Sequence, residues 1–92
     1  MKKVLIVEDQ RMPRENMERI LLDSGKYKLC ASVNGADVAL AVCRREKIDL
    51  ILTKEVSRFA RNTVDTLAYT RLLRRQGVGI VFIGDHIDTR QN

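Results

Sequence analysis

Short apolar runs and longer helical stripes follow one another along the chain. The segment Lys3 to Val7 is rich in branched apolar residues and ends at Glu8-Asp9, which is typical of a strand buried on both faces of a parallel sheet. Pro13 suits the first turn of a helix, and Ser24-Gly25 ends the stripe that follows it. The pattern therefore predicts a first strand and a first crossover helix.

The rest of the chain continues this alternation. The further predicted elements are a strand over Tyr27 to Val33, a helix over Ala36 to Lys47, a strand over Asp49 to Thr53, a helix that starts at Asn62 or Thr63 and ends at Gly77, and a strand over Val78 to Ile83. Residues 84–92 are predicted to be a polar tail. The alternation indicates the α/β class with a parallel sheet, in which ligand groups gather at the carboxyl ends of the strands.

Size and composition limit the possibilities further. The 92 residues suffice for one small domain, and the 45% apolar and 32% charged content is that of a globular protein. No apolar run approaches the roughly 20 residues of a membrane span, so we expect a cytoplasmic protein without membrane contact. Cys30 and Cys43 have no CxxC spacing, which favours reduced, half-buried thiols.

Positive charge is concentrated in the second half of the chain. The net charge is +5, and the stretch from Lys54 to Arg75 carries six Lys or Arg against two acids. Such a stretch can attract phosphate groups. For the group Arg71, Arg74 and Arg75 the favoured alternative is a solvated helix face near a helix C-terminus.

The first half contains a recognisable set of segments. It reads KKVLIVEDQRMPRENMERIL, then CASVNGADVALAV, then KIDLIL, and residues 1–52 resemble the receiver domain of bacterial response regulators. The resemblance implies Mg²⁺ binding by the acids that end the first strand, here Glu8 and Asp9, and phosphorylation of an aspartate that ends the third strand. For Glu8 and Asp9 we weigh weak, vestigial Mg²⁺ binding equally against a solvated strand end, and we expect no other cofactor.

Lys54 occupies the position at which the resemblance calls for the phosphoacceptor aspartate. An ammonium group cannot accept a phosphoryl group as a carboxylate does, and its charge competes with a divalent cation. We therefore expect Lys54 to form a salt bridge with Glu8 and Asp9 in place of the metal.

The second half resembles another family. It reads TKEVSRFARNTVDTLAYTRLLRRQGVGIVFIGDHIDTR, and residues 53–92 resemble the catalytic domain of serine recombinases, the resolvase and invertase family. The resemblance implies that Arg58 and Arg61 hold the DNA phosphate, for which guanidinium groups are well suited. The alternative is that they are surface arginines paired with Glu55 or Asp65.

The serine nucleophile of that family is expected just after the first strand. The chain has Val7-Glu8-Asp9-Gln10 there, and Ser57 corresponds to a helper position. We therefore predict that no residue is catalytic and that the protein is not an enzyme.

The two halves together indicate one domain over residues 1–92, receiver-like over 1–52 and recombinase-like over 53–92. Both families share the sheet order 2-1-3-4, so we expect a flavodoxin-like, three-layer parallel sheet truncated to about four strands, with three helices. Our leading interpretation is an engineered or naturally recombined chimeric scaffold without native activity. The alternatives are a weakly DNA-phosphate-binding remnant of a serine recombinase and a degenerate receiver that binds another protein.

A sheet that ends at its fourth strand has an open edge and a partly uncovered apolar face. Both features favour self-association. We expect a homodimer, formed through Val78 to Ile83 or through the face beside the first helix.

Overall fold

The alternation of strands and helices is present in the computed structural model, which describes residues 1–90. The elements are β1 (Lys2–Val7), α1 (Arg11–Ser24), β2 (Tyr27–Val33), α2 (Ala36–Arg45), β3 (Leu50–Thr53), α3 (Val56–Phe59), α4 (Thr63–Arg75), β4 (Gly79–Phe82) and β5 (Ile87–Asp88). The α/β class and the predicted strand positions are confirmed. Two elements are additional to the prediction: the four-residue helix α3 and the two-residue strand β5.

The five strands form one sheet in the order β2-β1-β3-β4-β5. The first four strands are parallel in the predicted order, and β5 runs antiparallel to β4. Thr89, just after β5, holds this edge: its amide donates to the Ile80 carbonyl, and its hydroxyl accepts from the Ile80 amide, both at 2.9 Å. The outer edge of β4, which we considered as a dimer interface, is therefore occupied within the chain.

The opposite edge of the sheet is formed by β2. Val4 of β1 pairs with Leu29, whereas Leu5 pairs with Ala31, so Cys30 is the extra residue of a β-bulge. Cys30 and Cys43 are both free and half-buried, as predicted.

Helices cover the two faces of the sheet unequally. On one face, α2, α3 and α4 enclose a large apolar cluster that includes Leu5, Ile51 and Ile80. On the other face, α1 packs mainly against β1 and β2, where Met17 and Leu21 complete a smaller cluster. Of the residues described, none forms a helix over β3 and β4 on that second face.

Helix α4 begins and ends at the capping residues that the sequence indicates. The Asn62 side chain accepts a hydrogen bond from the Asp65 amide at 2.9 Å and caps α4. Gly77 then takes a left-handed conformation, with φ of 81°, which a residue without Cβ adopts at little cost. Both assignments agree with the sequence prediction.

In residues 1–90 no helix has the length and apolar character that crossing a bilayer requires.

Candidate functional site

The carboxyl ends of the strands border an open pocket of about 540 Å³. Its walls come from the loop after β1, the β2–α2 turn, α3 and the start of α4. The lining residues are Asp9, Asn34, Gly35, Ala36, Asp37, Ser57, Arg58, Phe59, Ala60, Arg61, Asp65 and Tyr69. The pocket lies at the edge of the sheet where the parallel topology predicts a site.

The short helix α3 is fixed to the body of the protein at both ends. At its start, the Val56 amide donates to the Asp85 carboxylate at 2.8 Å. At its end, the Phe59 ring is 1% exposed and packs edge to face on Phe82 and Tyr69, with centroid distances of 5.6 and 6.3 Å. These contacts immobilise the backbone beside Arg58, because aromatic pairs of this kind are stabilising.

Arg58 and Arg61 both line the pocket. Arg58 lies on α3 and its side chain is 28% exposed, whereas Arg61 is exposed and directly precedes the cap of α4. Among residues 1–90, the ion pairs within 4.0 Å include none formed by Arg61. The structure therefore brings together the two arginines that the sequence singled out, without pairing either of them with Glu55 or Asp65.

Asp9 supplies the negative charge closest to Arg58. Its Oδ1 atom lies 3.6 Å from the Arg58 Nη1 atom, and its side chain is 57% exposed. The predicted bridge from Lys54 is wrong: Lys54 is exposed and forms no ion pair in the described part of the chain. The short helix α3 turns the chain back after β3, so the guanidinium of Arg58, and not the Lys54 ammonium, reaches Asp9.

Glu8 differs sharply from its neighbour Asp9. Its side chain is completely buried, and its Oε2 atom accepts a hydrogen bond from the Gln10 amide at 2.9 Å. Gln10 is the cap residue of α1, so the carboxylate lies where the positive end of the helix dipole stabilises it. Among the residues that the structure describes, its Oε1 atom has no hydrogen-bond partner.

Glu8 is thus buried and Asp9 exposed, although the two acids are adjacent in sequence. In residues 1–90 no three His, Cys, Asp or Glu side chains form a cluster able to hold a metal ion. Mg²⁺ prefers oxygen ligands in octahedral geometry, several of them water, and weak binding at Glu8 and Asp9 stays a prediction.

The hydroxyl of Ser57 also lines the pocket. It donates to the Glu55 carboxylate at 3.3 Å, and a carboxylate in this position can polarise a hydroxyl group. Asn34, Asp37 and Tyr69 were not singled out by the sequence reasoning. The turn formed by Asn34 and Gly35 brings two pocket residues to the end of β2.

Comparisons with known proteins identify relatives of this arrangement. The family model described as the resolvase N-terminal domain matches residues 6–92. It therefore extends into the half that resembles receiver domains. No curated protein matches the chain significantly.

Solved structures share the fold. A resolvase family site-specific recombinase from Streptococcus pneumoniae superimposes with a TM-score of 0.75 at 17% identity, over 100% of this chain and 78% of that one. The N-terminal catalytic domain of TP901-1 integrase gives 0.77 at 14% identity, over 98% and 83%. The signal receiver domain of a diguanylate cyclase from Desulfovibrio desulfuricans G20 gives 0.67 at 25% identity, over 90% and 64%. The similarity to both kinds of domain is confirmed.

These matches correct one prediction. We predicted that the protein is not an enzyme because a serine is missing after β1. The family model covers 6–92 and describes the catalytic domain of recombinases, a class of enzymes, so that prediction is wrong.

Proposed function

Since this chain belongs to the resolvase N-terminal domain family, we propose that it binds the phosphodiester backbone of DNA through the guanidinium groups of Arg58 and Arg61. The observation that carries this proposal is the placement of both arginines in one open pocket. Two guanidinium groups supply several parallel N–H donors, which match the geometry of a phosphate.

The surroundings of the pocket support a phosphate ligand of modest affinity. The contacts of Phe59 hold α3, and with it the backbone of Arg58, against the core, and such preorganisation of the backbone lowers the cost of binding. The acids Asp9, Asp37 and Asp65 line the same pocket and oppose an anion. Arg61 has no such partner among residues 1–90 and is the more available donor.

We further infer that the domain joins a receiver-like part, residues 1–52, to a recombinase-like part, residues 53–92. The boundary falls inside β3, between Leu52 and Thr53. Because β3 pairs with β1 on one side and with β4 on the other, this central strand connects the two parts within one sheet. The pocket likewise takes Asp9 from the first part and Arg58 from the second.

Binding of labelled duplex DNA, measured by fluorescence anisotropy over a series of salt concentrations, tests the proposed function. The double variant R58A/R61A is compared with R74A/R75A, which removes the same charge from the C-terminal end of α4. We expect the pocket variant to bind more weakly, and we expect the slope of log K against log salt to fall by roughly 2, about one per lost phosphate contact.

The matched variant separates a defined site from general attraction to a basic protein. Loss of binding in both double variants, or in neither, would contradict the proposal. Circular dichroism of each variant establishes that the fold is kept, since Arg58 lies on the short helix α3.

A further inference from the structure

The polar groups of the pocket follow a definite order along α4. Arg61 lies just before the cap residue of this helix, Asp65 lies in its first turn, and Tyr69 lies one turn further on. Asp65 and Tyr69 are four residues apart, so they share one side of the helix at a distance of about 6 Å along its axis. This wall of the pocket therefore presents a cation, a carboxylate and an aromatic ring in succession.

The same order of groups is complementary to a ribonucleotide. A phosphate accepts hydrogen bonds from guanidinium groups, the ribose hydroxyls donate to a carboxylate, and a base stacks on an aromatic side chain. Tyr69 is half-buried and is held edge to face by Phe59. The pocket volume of about 540 Å³ lies within the range of roughly 300–1,000 Å³ that is typical of small-molecule sites.

Asn34 and Asp37 supply polar groups from the other side of the pocket. Asn34 follows β2, and Asp37 lies in the first turn of α2. The carboxylate of Asp37 offers two acceptors side by side, and guanine is the common base with two adjacent N–H donors on one edge. The side-chain amide of Asn34 can donate to the guanine carbonyl. These two side chains therefore favour guanine over the other bases.

A nucleotide also gives a role to acids that oppose a bare phosphate. Within residues 1–90 the ion pairs include neither Asp37 nor Asp65. The Asn62 amide donates to Asp65 at 3.4 Å, which leaves most of the lone pairs of that carboxylate for a ligand. Hydroxyl and N–H donors of a nucleotide satisfy both acids, whereas a phosphate alone satisfies neither.

We propose that this pocket is a site for a guanine ribonucleotide, with guanosine 5′-monophosphate as its simplest ligand. The phosphate lies on Arg58 and Arg61, and the ribose hydroxyls lie on Asp65. The base stacks on Tyr69, and its donor edge faces Asp37. The assignment rests on the proposed function in one respect, because it uses the same two arginines to bind phosphate.

Isothermal titration calorimetry of the natural chain with guanosine 5′-monophosphate tests the site. Adenosine 5′-monophosphate lacks the paired donors, and we expect it to bind about tenfold or more weakly. The 2′-deoxy nucleotide represents the chemistry of DNA and lacks one donor to Asp65, so we expect it to bind about threefold or more weakly. Equal affinity for all three nucleotides would overturn the proposal.

The variant Asp37→Asn provides a change of specificity rather than a loss alone. The new side chain has one acceptor and one donor, which match the N–H and the carbonyl on the corresponding edge of xanthine. We expect guanosine 5′-monophosphate to bind about tenfold or more weakly and xanthosine 5′-monophosphate to bind more tightly than to the natural chain. Asp23→Asn, at the end of α1, makes the same charge change away from the pocket and is expected to alter neither affinity.

Stacking on Tyr69 is tested by a pair of variants. Tyr69→Leu removes the ring, and we expect the affinity for guanosine 5′-monophosphate to fall about tenfold. Tyr69→Phe retains the ring and is expected to bind as the natural chain does. Circular dichroism establishes that both variants are folded, and equal binding by the two would contradict the stacking.

Two results separate this inference from the proposed function. If guanosine 5′-monophosphate does not bind while R58A/R61A still weakens DNA binding, the nucleotide site is overturned and the DNA site remains. If the nucleotide binds with the change of specificity in Asp37→Asn but R58A/R61A leaves DNA binding unchanged, the nucleotide site is supported and the proposed function fails.

Discussion

The Asp9 carboxylate lies 3.6 Å from the Arg58 guanidinium, so the arginine that we propose as a phosphate ligand already has an anionic partner. A DNA phosphate that enters the pocket must displace this carboxylate or share the guanidinium with it. The pairing also joins two distant segments of the chain, because Asp9 follows β1 and Arg58 lies on α3, after β3.

We predict that Asp9→Asn strengthens DNA binding. The amide keeps the size of the side chain but removes the charge that competes for Arg58, and we expect the dissociation constant to fall by about three- to tenfold at low salt, or roughly 1 kcal/mol for a partly exposed pair. The measurement is the anisotropy titration described above. The control is Glu46→Gln, at the far end of α2, which neutralises an acid remote from the pocket. An equal gain in DNA affinity in both variants would show that the change in net charge alone, and not the position of Asp9, causes the effect.

The same variant separates two explanations of weak binding. If R58A/R61A reduces DNA binding but Asp9→Asn leaves it unchanged, the phosphate site is real and Asp9 is no competitor. If Asp9→Asn strengthens binding even when Arg58 is alanine, the carboxylate acts through its charge on the whole pocket.

The attachment of β5 gives a second prediction. Thr89→Val keeps the shape of the side chain but removes the hydroxyl that accepts from the Ile80 amide. We expect the free energy of unfolding to fall by about 1–2 kcal/mol and the Ile80 amide to exchange faster with solvent. Urea unfolding and hydrogen exchange measure the two effects. Thr89→Ser retains the hydroxyl and is expected to keep the Ile80 amide protected.

Gly84 permits the close approach of two strand ends. Its amide donates to the Lys54 carbonyl at 2.6 Å, and a Cβ atom at this position would lie 2.8 Å from the same oxygen. We predict that Gly84→Ala lowers the free energy of unfolding by about 1–3 kcal/mol, because backbone atoms must move apart. Gly35→Ala meets only a carboxylate side chain at 3.2 Å and is the milder comparison in the same urea experiment.

Cys43 makes stability depend on pH in the alkaline range. Burial raises the pKa of its thiol from 9.0 to about 11. Below pH 9 the thiol is protonated in both the folded and the unfolded protein. Between pH 9 and about 11 only the unfolded chain loses the proton, so the free energy of unfolding falls across this window. We expect Cys43→Ala to be less stable at pH 8 but to show a smaller further loss by pH 10.5. If the free energy of unfolding fell equally with pH in the natural protein and in Cys43→Ala, the assignment of this pH dependence to Cys43 would be contradicted.

The strands and the larger helices could be predicted from the sequence because each has its own local pattern. Val4 to Val7 is continuously apolar, and Asn62 and Gly77 mark the ends of α4. The strand β5 has no such pattern: its two residues, Ile87 and Asp88, are a strand through their pairing with Phe82 and Val81 of β4. Local sequence reasoning cannot detect a strand that depends on a distant partner.

The candidate site was predictable to a similar extent. The carboxyl ends of parallel strands share one edge, so Asp9 and the residues after β3 were expected to be neighbours. Which cation would reach Asp9 depended on α3, whose four residues are too few for helical periodicity to appear. The resemblance of the second half to recombinases located Arg58 and Arg61, whereas the missing serine after β1 led to the incorrect conclusion that the protein is not an enzyme.

The two borders of the sheet disfavour the addition of another strand in different ways. At one border β5 is only two residues long, and at the other the Cys30 bulge interrupts the regular spacing of β2. Short or irregular border strands make poor templates for another chain. We therefore expect this five-stranded sheet to resist growth into fibrils through its borders.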